Sequence, residues 1–221
     1  MGIVAVKGDV AELIAVFTEA WPNFEAKSRA AMVGAGTLWN WIKDNERPVY
    51  GSAWSPGNPG TSGFGFWQDG EWAVMLDPDF VQAADGPGLV RLSERFGLVL
   101  SFIVETAGGC AFFRAFDRGQ LLRSIDWNGE LASQGNPLLQ EAGLATDCYY
   151  VDETEQLQVN FGITPLERLP GDLPCTGAVF IDRTDYSALV QTRAARRAST
   201  EARPEHSPSA ASQVRPWWRF W

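Results

Sequence analysis

Residues 63–77 read GFGFWQDGEWAVMLD, two aromatic-rich runs separated by the turn Asp69-Gly70-Glu71, and few architectures accept such a segment. Asp-Gly is favoured at the centre of a tight hairpin because both central residues take positive φ, and the flanking runs then pair as antiparallel strands. The pattern recurs downstream. Residues 110–116 and 121–127 flank a turn at Asp117-Arg118-Gly119, and a third hairpin is expected from residues 149–151 pairing with 157–161 across 152–156. Residues 3–6, 98–105 and 179–182 add strands by their β-branched and aromatic content.

Helical signals are fewer. Asp9 reads as an N-cap with Glu12 as its capping-box partner, and Val10, Leu13, Ile14 and Phe17 follow at helical spacing until Trp21-Pro22 ends the element. A second helix is expected over about residues 25–44, weakened by Gly34 and Gly36, and a third over 89–96. Residues 48–62 are rich in Gly, Pro and Ser and read as a loop. Together these predict an α+β fold: one domain over residues 1–191, with a mainly antiparallel sheet of hairpins packed by two or three helices. From about Thr192 the apolar pattern fails. Residues 192–214 are dominated by Ala, Arg, Ser, Pro and Glu and read as a disordered linker, ahead of the terminal motif Arg215-Pro-Trp217-Trp218-Arg219-Phe220-Trp221.

Charge divides the chain in the same place. Residues 1–191 carry 12 Lys and Arg against 25 Asp and Glu, while residues 192–221 carry six Arg against two Glu. The acidic body repels nucleic acid and attracts basic proteins. The tip suits docking on a protein groove, contact with a membrane surface, or return to the chain's own acidic body.

The one histidine, His206, falls in the linker, so the expected domain has no imidazole for Ser-His-Asp or Cys-His chemistry or for metal ligation. Cys110, Cys148 and Cys175 are widely spaced and form no CxxC pair. Gly34-Ala-Gly36 lacks the third glycine of a dinucleotide loop, and no phosphate-binding GxxxxGK[ST] occurs. Neither cofactor nor metal is therefore expected. Asp69, Glu71, Asp77 and Asp79 gather around the first hairpin in sequence, where solvated turns are the plainer reading. No export signal is read at the N-terminus and no apolar run reaches the roughly 20 residues of a membrane span, so a cytoplasmic location with reduced thiols is expected.

The stretch FFRAFDRGQLLRSIDWNGELASQGNPLLQE, taken with GFGFWQDGEWAVMLD, resembles small bacterial α+β immunity proteins of contact-dependent or polymorphic toxin systems over roughly residues 60–165. That resemblance implies a stoichiometric binding protein rather than an enzyme. The expected partner is a basic, toxin-like protein met by the acidic body, with Trp67, Trp72 and Trp127 as apolar anchors and Asp69, Glu71 and Asp126 as charged ones. The alternative expectation is a peripheral adaptor tethered to a membrane or assembly through its C-terminal tip.

Overall fold

The two-residue alternation of a strand is plainest at the centre of the molecule. In the computed structural model, which describes residues 1–49, 55 and 58–187, β1 (Gly2–Lys7) sends Val4 and Val6 to one face and Ile3 and Ala5 to the other. Both faces are buried. Around it lies one nine-stranded sheet in the order β2-β9-β3-β4-β1-β5-β6-β7-β8. These strands are β2 (Phe24–Val33), β3 (Thr61–Asp69), β4 (Trp72–Asp77), β5 (Leu98–Glu105), β6 (Cys110–Asp117), β7 (Gln120–Trp127), β8 (Leu131–Gln134) and β9 (Pro174–Asp182). Every neighbouring pair is antiparallel.

Helices cover both faces. On one side α1 (Val10–Ala20), α3 (Val81–Ala84) and α4 (Gly86–Phe96) bury Leu13, Phe17, Ala83, Leu89 and Leu92 against Val4, Val6, Phe64 and Phe66. Phe17 stacks on Phe180 with ring centroids 4.0 Å apart. On the other side α2 (Ala35–Asn45) and α5 (Val151–Asn160) bury Leu38, Ile42 and Leu157 against Ile3, Ala5, Leu100 and Phe102. The structure is α+β with an antiparallel sheet, as the hairpin signals require. Among the described residues the α-helices number five rather than two or three and lie on both faces.

The Asp9 cap of α1 forms, with Oδ1 accepting from Ala11 N at 2.7 Å and Glu12 N at 3.3 Å, but the reciprocal capping-box bond does not, because the Glu12 carboxylate pairs with Arg95 at 2.8 Å. Two expected elements differ. The helix over 25–44 is half strand: β2 takes Phe24–Val33, and only Ala35–Asn45 is helical. Gly34, at φ 86°, breaks the chain between them. Pairing along β9 overrides the helical propensity of Glu, Ala and Lys in β2. The third hairpin is instead α5, a single helix through the residues expected to turn. Acidic residues in its first turn suit the helix dipole, and Glu153 Oε2 accepts the Tyr150 N–H at 3.0 Å. The linker 192–214 and the tip 215–221 lie outside the described residues.

Candidate functional site

The sheet face over β5, β6 and β7 is roofed by α5 and the segments on either side of it, and the roof is held by a few specific contacts. Phe161, just past α5, lies 6.4 Å from Trp72, 6.4 Å from Phe102 and 6.0 Å from Phe113 between ring centroids. The Trp72 indole N–H donates to the Phe161 carbonyl at 3.0 Å. Asp69 accepts the Thr164 N–H at 2.6 Å, and the Asn160 amide donates to the Gln140 carbonyl at 2.7 Å. Below them Arg123 of β7 makes two 2.8 Å bonds to Glu141, with both side chains about nine-tenths buried.

This roof is strongly acidic. Residues 141–172 carry seven carboxylates and a single basic residue, Arg168. Arg123 neutralises Glu141 and Arg168 pairs with Glu155 at 2.9 Å. Asp147, Asp152, Glu153, Glu167 and Asp172 have no cation within ion-pair distance among the described residues. Leu139, 86% exposed, and Val159, 44% exposed, sit next to the Gln140–Asn160 hydrogen bond, so apolar surface adjoins the charge.

At the end of the sheet where β1 begins and β5 finishes, α5 overhangs a cavity of about 350 Å³. Met1, Ile3, Val104, Val151 and Leu166 give it apolar walls, and Glu105, Glu155 and Glu167 reach it as carboxylates. Thr154 and Gln158 line it from α5. The Thr154 hydroxyl donates to the Tyr150 carbonyl at 2.6 Å.

The six expected anchors do not form one surface. Trp67 and Trp72 are 1% and 2% exposed and belong to the core, so neither is available to a partner. Hairpin patterning announced their aromatic bulk but not that helices cover both faces. Asp69 is committed to Thr164. Glu71 is exposed and paired with Lys7 at 2.8 Å. Asp126 and Trp127 lie at the opposite end of the sheet from the Asp69–Trp72 turn: Asp126 stands in register with Phe112, Ile103, Gly2 and Asp77, whereas Trp72 is in register with Lys7. Four strand spacings and five residues of rise separate the two groups by on the order of 25 Å. Asp126 is half-buried, with Arg114 3.9 Å away; burial raises its carboxyl pKa and that guanidinium opposes the rise. Asp69 and Glu71 are likewise split from Asp77 and Asp79 by the length of β4.

Asp77 is buried and accepts the N–H groups of Gln82 and Ala83 at 2.7 and 2.9 Å. Loss of solvation raises its pKa to about 7 against the pull of those two bonds. All three cysteines are free, and burial raises the pKa of Cys110 and Cys175. Sequence reasoning missed Thr154, Gln158 and Glu167 because it read 149–161 as a hairpin. Val151, Thr154, Leu157 and Gln158 at helical spacing were the signal that would have found the lining.

Comparison with protein-family models, with curated proteins and with solved structures finds no match for this chain. Among the described residues no helix is long and apolar enough to cross a membrane, and no three His, Cys, Asp or Glu side chains converge as metal ligands would.

Proposed function

We propose that this protein is a non-enzymatic binding protein that captures a basic protein partner on its acidic roof, in the manner of an immunity-type inhibitor. One observation carries the reading: five carboxylates between residues 147 and 172 face no described cation. Uncompensated charge of one sign raises the rate at which an oppositely charged protein finds the surface that carries it. Leu139 and Val159 beside it supply apolar area to be buried once contact is made. The anchors of this reading are therefore Asp147, Asp152 and Asp172, and not the tryptophans of the hairpin.

The test uses the full chain and a basic partner protein captured by it in a pull-down, measured by surface plasmon resonance. The triple variant D147N/D152N/D172N alters exposed residues only and should lower the association rate about tenfold at low salt. Raising ionic strength from about 50 to about 300 mM should remove most of the difference. Equal association rates for parent and variant, or an affinity indifferent to salt, would falsify the reading.

A further inference from the structure

We propose that the cavity beneath α5 binds an alkylammonium or alkylguanidinium group carried on an apolar stem. Its volume, about 350 Å³, lies within the roughly 300–1,000 Å³ of small-ligand pockets. The chemistry of its wall has two parts. Met1, Ile3, Val104, Val151 and Leu166 form an apolar lining suited to methylenes, and Glu105 and Glu167 supply negative charge for a cationic head, Glu155 being paired with Arg168.

An independent observation indicates a ligand. Gln158 is 7% exposed, yet its side-chain amide makes no hydrogen bond with any described residue. A side chain so far buried and bonded to no described protein group leaves its amide to whatever fills the cavity it lines. The unpaired indole N–H of Trp67 and hydroxyl of Tyr149 are sealed from solvent. The Gln158 amide is not among those sealed atoms, and the cavity it lines is the space it opens onto. Its carbonyl oxygen is an acceptor for a donor-rich head, which an ammonium or guanidinium is.

The local charges favour a cation over an anion. The Met1 ammonium donates to the Val104 carbonyl at 3.0 Å; burial lowers its pKa, against the opposing pull of Asp77, Glu105 and Asp79. Arg168 is held by Glu155. Glu105 turns its oxygens to the Ala107 and Gly108 N–H groups but keeps its charge at the rim. Glu167 is exposed, with no cation beside it among the described residues. The inference does not depend on the partner-binding reading: the roof could dock nothing and the cavity would still select cations.

The experiment is a ¹⁵N–¹H NMR titration of the full chain with agmatine, an alkylguanidinium, beside 1-pentanol as a neutral stem and glutarate as an anion. A second arm uses the blocked peptide acetyl-Gly-Arg-Gly-amide. Agmatine or the peptide should shift the amides of residues 104–106, 154–158 and 166–167 saturably. E167Q should weaken that binding roughly three- to fivefold, the worth of a half-exposed ion pair, and Q158L should weaken it as well. Saturation by agmatine identifies a diffusible amine as the ligand. Saturation by the peptide alone identifies an arginine side chain of another protein. The proposal is overturned if neither probe shifts those amides. It also fails if pentanol or glutarate shifts them equally, or if E167Q and Q158L both leave the affinity unchanged.

Discussion

Gly65 of β3 and Gly177 of β9 stand opposite each other in register, and together they make the floor on which α2 rests. A Cβ on Gly177 would lie 2.2 Å from the Trp41 ring, and one on Gly65 would lie 2.5 Å from Leu38 Cδ2. Trp41 is rigid and cannot yield as a flexible side-chain end would. Gly177→Ala should therefore lower stability by about 1–3 kcal/mol, the usual cost of overpacking, read as a shift in the urea midpoint. Gly36→Ala is the control: it lies in α2 with nothing within 4 Å of the added carbon, and should raise stability by up to about 1 kcal/mol. Asp77 adds a pH signature. Its folded-state pKa of about 7 exceeds the unfolded value near 3.8, so the folded chain holds the proton more tightly. Stability is then highest below about pH 4 as far as this group is concerned, and falls as pH rises through about 7. Asp77→Asn keeps an oxygen for Gln82 and Ala83 and should flatten that fall. An unchanged melting-temperature profile between these pH values would show that Asp77 ionises freely in the fold.

Among the elements, the roof depends most on Arg123 and Glu141. The pair ties β7 to the turn after residue 138, and Arg123 also donates to the carbonyls of Gln134 and Gly135. Glu141→Ala leaves a buried guanidinium without its counter-charge, which costs about 3–5 kcal/mol, and hydrogen exchange should quicken first in residues 131–141. How far the elements were legible depended on whether their signals were local. The two hairpins and the Asp9 cap are set by turn and cap chemistry within a few residues and are found where the sequence places them, although the first turn centres on Gly70-Glu71, with Asp69 paired to Trp72, rather than on Asp69-Gly70. β2 could not be read so, because its conformation is imposed by β9, some 150 residues later. The segment of α5 offered apolar residues compatible with two short strands, and only the lack of a glycine in DETEQ argued against a hairpin. The cavity depends on both β5 and α5, so misreading the helix hid it. The acidity of residues 141–172, by contrast, needs no fold to be seen.

At the scale of the whole molecule, an open nine-stranded sheet has two outer edges, and both carry devices against unwanted pairing. β8 is short and exposed throughout. β2 is ten residues long, but its register with β9 shifts between Ala26 and Ser28, and Lys27 and Arg29 are exposed along it. Bulges and edge charges are the usual guards of an open strand. Replacing both cations, K27V/R29V, should produce concentration-dependent association in light scattering while the parent stays dispersed; equal scattering would show the charges to be idle. The position of β9 has a consequence of another kind. It is the last described strand, yet it lies between β2 and β3 and is the only described partner of β2. During synthesis the first strand pair of that edge must wait until residue 182 has cleared the ribosome, with Phe24 and Phe64 lacking the Phe180 ring they pack against. Folding of this edge thus waits for β9 by topology, and a nascent chain stalled before Pro174 leaves β2 without its described partner even though most of the sheet has already been made.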